Sequence, residues 1–185
     1  AVAQLVSRPP ALVLSGVNDG YNVGTDVIYS GTVAAAAEAT VLDLPGISVS
    51  VEVGGSRSTI DLAARFAAQL AGWVLQTGWA PPETLLNVNV PEGAASIYEF
   101  GAMGVRKYKR PQRKPEMPRD GAVFDLGRPL SRAGEGARGE DAEILRRGHI
   151  CVTPLRLDWT AREQLSIGRE INLAGFESGD GGRGE

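Results

Sequence analysis

Cysteine and histidine are almost absent from this chain: Cys151 and His149 stand alone among its 185 residues. One of each excludes a disulfide framework and any zinc site built from Cys and His ligands. A cysteine–histidine catalytic pair is not expected either, because the two read as pointing to opposite faces of a strand. Aromatic residues are few, and no apolar run approaches the roughly 18 residues that a membrane helix needs, which argues against a membrane role. Charge of one sign is also lacking. A net charge of −3 gives no global attraction to nucleic acid, so any anion must be held by local features. The opening residues, AVAQLVSRPP, contain no basic segment followed by an apolar stretch of signal-peptide length.

What is present is a soluble globular composition, 43% hydrophobic and 22% charged, with room for one domain of ordinary size. Residues 11–17 (ALVLSGV) follow two prolines and read as a buried strand. Residues 32–44 have helical spacing, with Val33, Ala37, Val41 and Leu44 on one stripe and Pro45 as the stop. Residues 46–53 (GISVSVEV) alternate as a strand does. A capping box at residues 58–61 (STID) predicts a second helix to about Thr77, and residues 85–90 (LLNVNV) predict a third strand. This alternation predicts an α/β domain with a largely parallel sheet. Further on, residues 106–119 carry seven basic residues, one acid and three prolines, which predicts an exposed arm or an irregular hairpin. Residues 127–139 read as a Gly/Arg-rich loop, 149–155 as a strand, and 161–171 as a helix. The terminal stretch ESGDGGRGE has no apolar residue and reads as a disordered tail.

The unusual segment is residues 15–33, SGVNDGYNVGTDVIYSGTV, between the first strand and the first helix. Ligands of open α/β sheets gather just beyond the carboxyl ends of the strands, where this segment starts. Asn18 offers a neutral oxygen that suits a hard cation but cannot hold one alone. Gly16, Gly20 and Gly24 permit positive φ and close approach of a ligand to backbone amides. Ser30, Gly31 and Thr32 precede the helix, where amides and the helix dipole accommodate phosphate. The same residue types also serve as plain turns and helix caps. The glycine spacing is neither that of the dinucleotide-binding fingerprint nor that of the P-loop.

The extended stretch SGVNDGYNVGTDVIYSGTVAAAAEA resembles the signature of the SurE (survival protein) family of metal-dependent 5′-nucleotidases. Residues 86–91 (LNVNVP) and 148–160 (GHICVTPLRLDWT) are similar, in order, to two further motifs of that family. The departures are His149 and Cys151, where the family usually has an aromatic residue and a serine. The resemblance implies a Rossmann-like three-layer α/β/α fold and hydrolysis of nucleoside 5′-monophosphates with a divalent cation, Mg²⁺ or Mn²⁺. It implies Asn18 as a metal ligand, and Asn22, Ser30, Gly31 and Thr32 as residues lining the phosphate pocket. It further implies a cytoplasmic homodimer or homotetramer.

The family's paired aspartates lie in an N-D-D-G motif, which this sequence does not contain. No catalytic residue is therefore assigned here. The expectation is a chain lacking an N-terminal segment, with little or no activity alone. Residues 1–96 are then the partial nucleotidase core, 97–172 a C-terminal arm, strand and helix of the same domain that serve oligomerisation, and 173–185 the tail. The alternative is a catalytically incomplete oligomerisation or nucleotide-binding module. A nucleic-acid contact through residues 106–119 is disfavoured, because Tyr108 is the one aromatic there for stacking. Asn87 and Asn89 are expected to bond neighbouring loops, and Phe66 and Trp73 to lie in the core.

Overall fold

The computed structural model describes residues 8–105, 112–113, 124–125 and 137–169, with side chains for residues 8–105 and 137–165. Strand β1 (Val13–Asp19) leads through a 3-10 helix (Gly24–Tyr29) into α1 (Gly31–Val41). Then come β2 (Gly46–Val51), α2 (Arg57–Thr77), β3 (Thr84–Val90) and β4 (Tyr98–Phe100). Two short strands, β5 (Gln112–Arg113) within the predicted arm and β6 (Phe124–Asp125) beyond it, pair with each other in antiparallel fashion. The chain returns as α3 (Asp141–Arg146), β7 (Ile150–Arg156) and a 3-10 helix (Arg162–Arg169). Most of the basic arm, most of the Gly/Arg-rich loop and the tail lie outside the described residues. No helix among the described residues is long and apolar enough to cross a membrane.

The main sheet has the order β1-β2-β3-β7-β4. β1, β2 and β3 run parallel, β7 is antiparallel to β3, and β4 is parallel to β7, so the sheet is mostly parallel as expected. Side chains alternate across it, and the two faces differ in chemistry. One face presents Ile47, Val49 and Val51, then Leu86, Val88 and Val90, then Ile150 and Val152. These pack with Ala63, Ala67 and Val74 of α2 as the main core. The other face is graded. Leu85 and Leu155 pack under Val33 and Ala36 of α1, whereas the strand positions beyond them carry Ser48, Ser50, Asn87, Asn89 and Thr153, all buried. The motifs GISVSV and LNVNV thus spell one apolar face and one polar face, and both are covered.

Several sequence expectations need correction. β1 was expected to be buried, but among the described residues it is the edge of the sheet and none of its residues is fully buried. It also runs two residues further, so Asn18 lies in the strand, after a register shift between Ser15 and Asn18. The shift is built on Gly16, whose φ is +126° and where a Cβ would stand 2.3 Å from the Val49 carbonyl oxygen. The buried positions of α1 are Val33, Ala36, Ala39 and Thr40, while Val41 is exposed. The small residues face inward because β2 begins against the helix, where a Cβ on Gly46 would lie 2.1 Å from the Ala36 carbonyl oxygen.

The cap of α2 is Ser56, whose side chain accepts from the Thr59 amide at 3.3 Å, and not Ser58 of the predicted box. Trp73 is 45% exposed and makes a tilted ring contact with Trp79, and Phe66 is partly buried beside Tyr98, so neither is a fully enclosed core residue. The expected helix over 161–171 is a 3-10 helix among the described residues. His149 and Cys151 are two apart and therefore have the same parity, contrary to the opposite faces expected. What separates them is position. His149 precedes the strand and meets Glu99 at 2.5 Å, while Cys151 is buried beside Thr153.

Candidate functional site

The segment from Asn18 to Thr32 lies over the polar part of the second sheet face. Its centre is Asn22, which is buried. The Asn22 backbone N–H donates to Asn89 Oδ1 at 2.8 Å, and its carbonyl accepts from Asn87 Nδ2 at 2.7 Å and Asn89 Nδ2 at 3.0 Å. Its side-chain amide donates to Ser50 Oγ at 2.6 Å, and Ser48 Oγ donates to Asn87 Oδ1 at 2.9 Å. A buried polar network is stable only when its groups are satisfied, and here two strand asparagines replace water for one loop residue. The expectation that Asn87 and Asn89 bond a loop agrees with these contacts.

Asn18 pairs with Ser50 in the β1–β2 register, and Ser50 is also the residue whose Oγ accepts from the Asn22 side-chain amide. Asn18 Nδ2 donates to the Gly20 carbonyl at 2.7 Å, which turns its own carbonyl oxygen into the atom available to a ligand. Asp19 Oδ1 accepts from the Gly54 amide at 2.7 Å and so ties the end of β1 to the loop after β2. Tyr21 donates its hydroxyl to Glu52 Oε2 at 3.1 Å, and burial together with that carboxylate holds the phenol well above its ordinary range. Glu92, after β3, accepts from Thr59 Oγ1 at 2.7 Å and the Ser56 amide at 2.9 Å. Those bonds, the one from Thr59 foremost, lower its pKa.

Residues 30–32 occupy the start of α1. Ser30 is the N-cap, and its Oγ accepts from the Val33 amide at 3.1 Å while its carbonyl accepts from the Ala34 amide at 2.9 Å. The Gly31 and Thr32 amides are the first two of the helix, which have no partner inside it. None is recorded for them among the described residues. Gly31 is open, since a Cβ there would meet nothing within 4 Å, and the first turn carries no acid that would compete with an anion. No hydrogen bond joins residues 30–32 to Asn18 or Asn22 among the described residues; the 3-10 helix connects them.

The donor set does not fit a divalent cation by itself. Asn18 supplies one neutral oxygen, the Asp19 carboxylate is engaged by Gly54, and no group of three or more His, Cys, Asp or Glu among the described residues could hold a metal ion. Cys151 is not a nucleophile here: burial pushes its thiol up to about 11. A separate apolar groove of about 580 Å³ runs between α1 and the end of β7, and none of Asn18, Asn22, Ser30, Gly31 or Thr32 lines it.

The family model for survival protein SurE matches residues 1–110. This chain belongs to the SurE family. It is 43% identical over 177 residues to a 5′-nucleotidase SurE of Geobacter sulfurreducens, covering 92% of this chain and 65% of that protein. It is 40% identical over 176 residues to a 5′-nucleotidase SurE of Symbiobacterium thermophilum, covering 94% of this chain and 68% of the relative. The crystal structure of the SurE protein from Aquifex aeolicus superposes with a TM-score of 0.65 at 30% identity, over 85% of this chain and 64% of that one. The chain thus spans about two thirds of the length of the relatives it matches.

Two parts of the candidate site were not anticipated from the sequence. Ser48 and Ser50 had a usable signal, because their alternation in GISVSV matches that of LNVNV in the neighbouring strand. Asp141 had none. Its carboxylate accepts from the Gly24 amide at 2.6 Å across a separation of 117 residues.

Proposed function

We propose that residues 18–32 form the phosphate-binding wall of a 5′-nucleotidase that removes phosphate from nucleoside 5′-monophosphates. The observation that carries this reading is the start of α1, where two amides without a partner among the described residues, an open glycine and the Ser30 hydroxyl stand together and the helix's own first turn carries no acid. Ser30 Oγ accepts from Val33, so its hydroxyl proton is free to donate to a phosphate oxygen. The Gly31 and Thr32 amides add two further donors where the helix dipole favours negative charge. Asn22 acts as the structural anchor of this wall, because its backbone and side-chain amide are committed to β2 and β3. That revises its expected role from contact with phosphate to support beneath it.

A divalent cation, Mg²⁺ or Mn²⁺, would supply charge neutralisation at the phosphate in a complete site. Here Asn18 brings one oxygen to it, and the carboxylates that must accompany that oxygen are not among the described residues. The 185-residue chain alone is accordingly expected to bind AMP and release phosphate from it slowly or not at all. The test is titration of the isotopically labelled chain with AMP, read from amide resonances, alongside a phosphate-release assay. Shifts concentrated in residues 18–32, weakened about fivefold by Ser30→Ala, are expected for one lost hydrogen bond. Shifts elsewhere, or none, would overturn the reading.

A second reading, self-association into a homodimer or homotetramer, is favoured by the apolar groove. Ile28, Val41, Met103 and Trp159 line it and are exposed. Sedimentation velocity across a hundredfold concentration range separates the two readings, since the first needs no oligomer and the second does.

A further inference from the structure

Asp141 is 1% exposed, which for an ionisable side chain demands compensation. It receives three backbone donors: Gly24 N–H at 2.6 Å to Oδ2, and Ala142 N–H at 2.7 Å and Gly104 N–H at 3.3 Å to Oδ1. The Ala142 bond is local to α3. The other two join segments far apart in sequence, the Asn/Gly loop and the strand exit after β4. A Cβ on Gly104 would stand 3.1 Å from Asp141 Oδ1 and 3.0 Å from Glu140 Oε2, so the backbone is drawn close to the carboxylate. Val23, next to Gly24, is fully buried against Ile144, Leu145 and Cys151, which makes the attachment apolar as well as polar.

Gly24 opens the 3-10 helix that ends at Tyr29, one residue before the Ser30 cap. Its φ is +53°, so its amide is aimed by a backbone conformation that other residues seldom adopt. Two residues earlier Asn22 is bound to β2 and β3. The loop is therefore pinned twice within three residues, once to the sheet and once to α3. Only after the second pin does the chain run out to residues 30–32. A hydrogen bond that fixes the base of a short rigid segment sets the direction of everything beyond it.

We infer that Asp141 is a positioning residue for the phosphate wall, holding the Gly24 amide so that Ser30, Gly31 and Thr32 face the phosphoryl group. This rests on the function proposed above. Asp141→Asn preserves size and one acceptor but cannot accept from Gly24 and Gly104 together with both of its former oxygens.

The experiment titrates AMP and, separately, inorganic phosphate into the chain and its Asp141→Asn variant, and measures amide hydrogen exchange and thermal midpoint on the same samples. The expected result is loss of protection at Gly24, retained protection in β2 and β3, and affinity reduced about tenfold per folded molecule, as for one lost charge-assisted hydrogen bond. Unchanged affinity in the folded fraction, with or without a lower midpoint, would overturn the positioning role while leaving the phosphate wall intact. Absence of AMP and phosphate binding by the parent chain would remove the functional reading and the positioning role with it. Should Asp141→Asn not fold, Gly24→Ala, which disturbs the same tie from the loop side, is measured in its place with the same outcomes.

Discussion

Replacing Asn89 with alanine removes both bonds that its side chain makes with Asn22. The Asn22 N–H loses its acceptor at 2.8 Å and is left buried, while the Asn22 carbonyl keeps the Asn87 donor at 2.7 Å. An orphaned buried donor costs about 1–3 kcal/mol, and the second lost bond about 0.5–1.5 kcal/mol. The sum, about 2–4 kcal/mol, is a large share of the roughly 5–15 kcal/mol that stabilises a domain. In urea unfolding the midpoint should fall by roughly 0.7–2 M, because the slope for such a chain is about 2–3 kcal/mol per M. The control is Arg57→Ala, which breaks an ion pair of 3.0 Å with Asp61 on the exposed surface of α2 and should cost no more than about 0.5 kcal/mol. If the two variants unfold at the same midpoint, water already satisfies Asn22 and the network is not what holds the loop.

Gly16→Ala is expected to lower stability by about 3 kcal/mol or more, because it strains a backbone at positive φ and drives a methyl group to 2.3 Å from the Val49 carbonyl; thermal unfolding reads it directly. Glu99 has its pKa held below the usual 4.5 by hydrogen bonds from Arg147 foremost and then His149. A carboxylate lowered on folding stabilises the native state above its unfolded pKa, and that contribution is lost as pH falls through the folded value. Glu99→Gln should therefore narrow the stability difference between pH 7 and pH 3, and an unchanged pH profile would show the cluster to be inert. Cys151, with its thiol raised to about 11 and buried, should resist maleimide at pH 7.5 until urea unfolds the chain, whereas labelling at the rate of an exposed thiol would contradict its burial.

Much of the fold was legible because its signals are local. Apolar alternation located β2 and β3, and Pro45 and Pro91 closed the segments before them. The long Asn/Gly segment stood out because turn chemistry of that length is uncommon between a strand and a helix. Other features were misread where local rules met tertiary ones. The apolar run of β1 looks like a central strand, yet the strand order among the described residues makes it an edge. The regular stripe through Val33, Ala37 and Val41 looks like the buried face of α1, yet the close approach of Gly46 to Ala36 rotates the small residues inward.

The sequence by itself determined where α1 starts and that its first turn is free of acid, since an N-cap serine followed by glycine and threonine is a property of consecutive residues. It also determined that β2 and β3 each have an apolar and a polar side, because a strand alternates with period two. Tertiary structure alone decided that the polar side is buried beneath Asn22, that Ser50 pairs with Asn18 in register and accepts from Asn22, and that Asp141 reaches Gly24. Those facts depend on strand order, register and the return of a distant segment. Burial turns an unremarkable serine or aspartate into a fixed hydrogen-bond partner, and burial is a property of the assembled sheet and helices rather than of any stretch of chain.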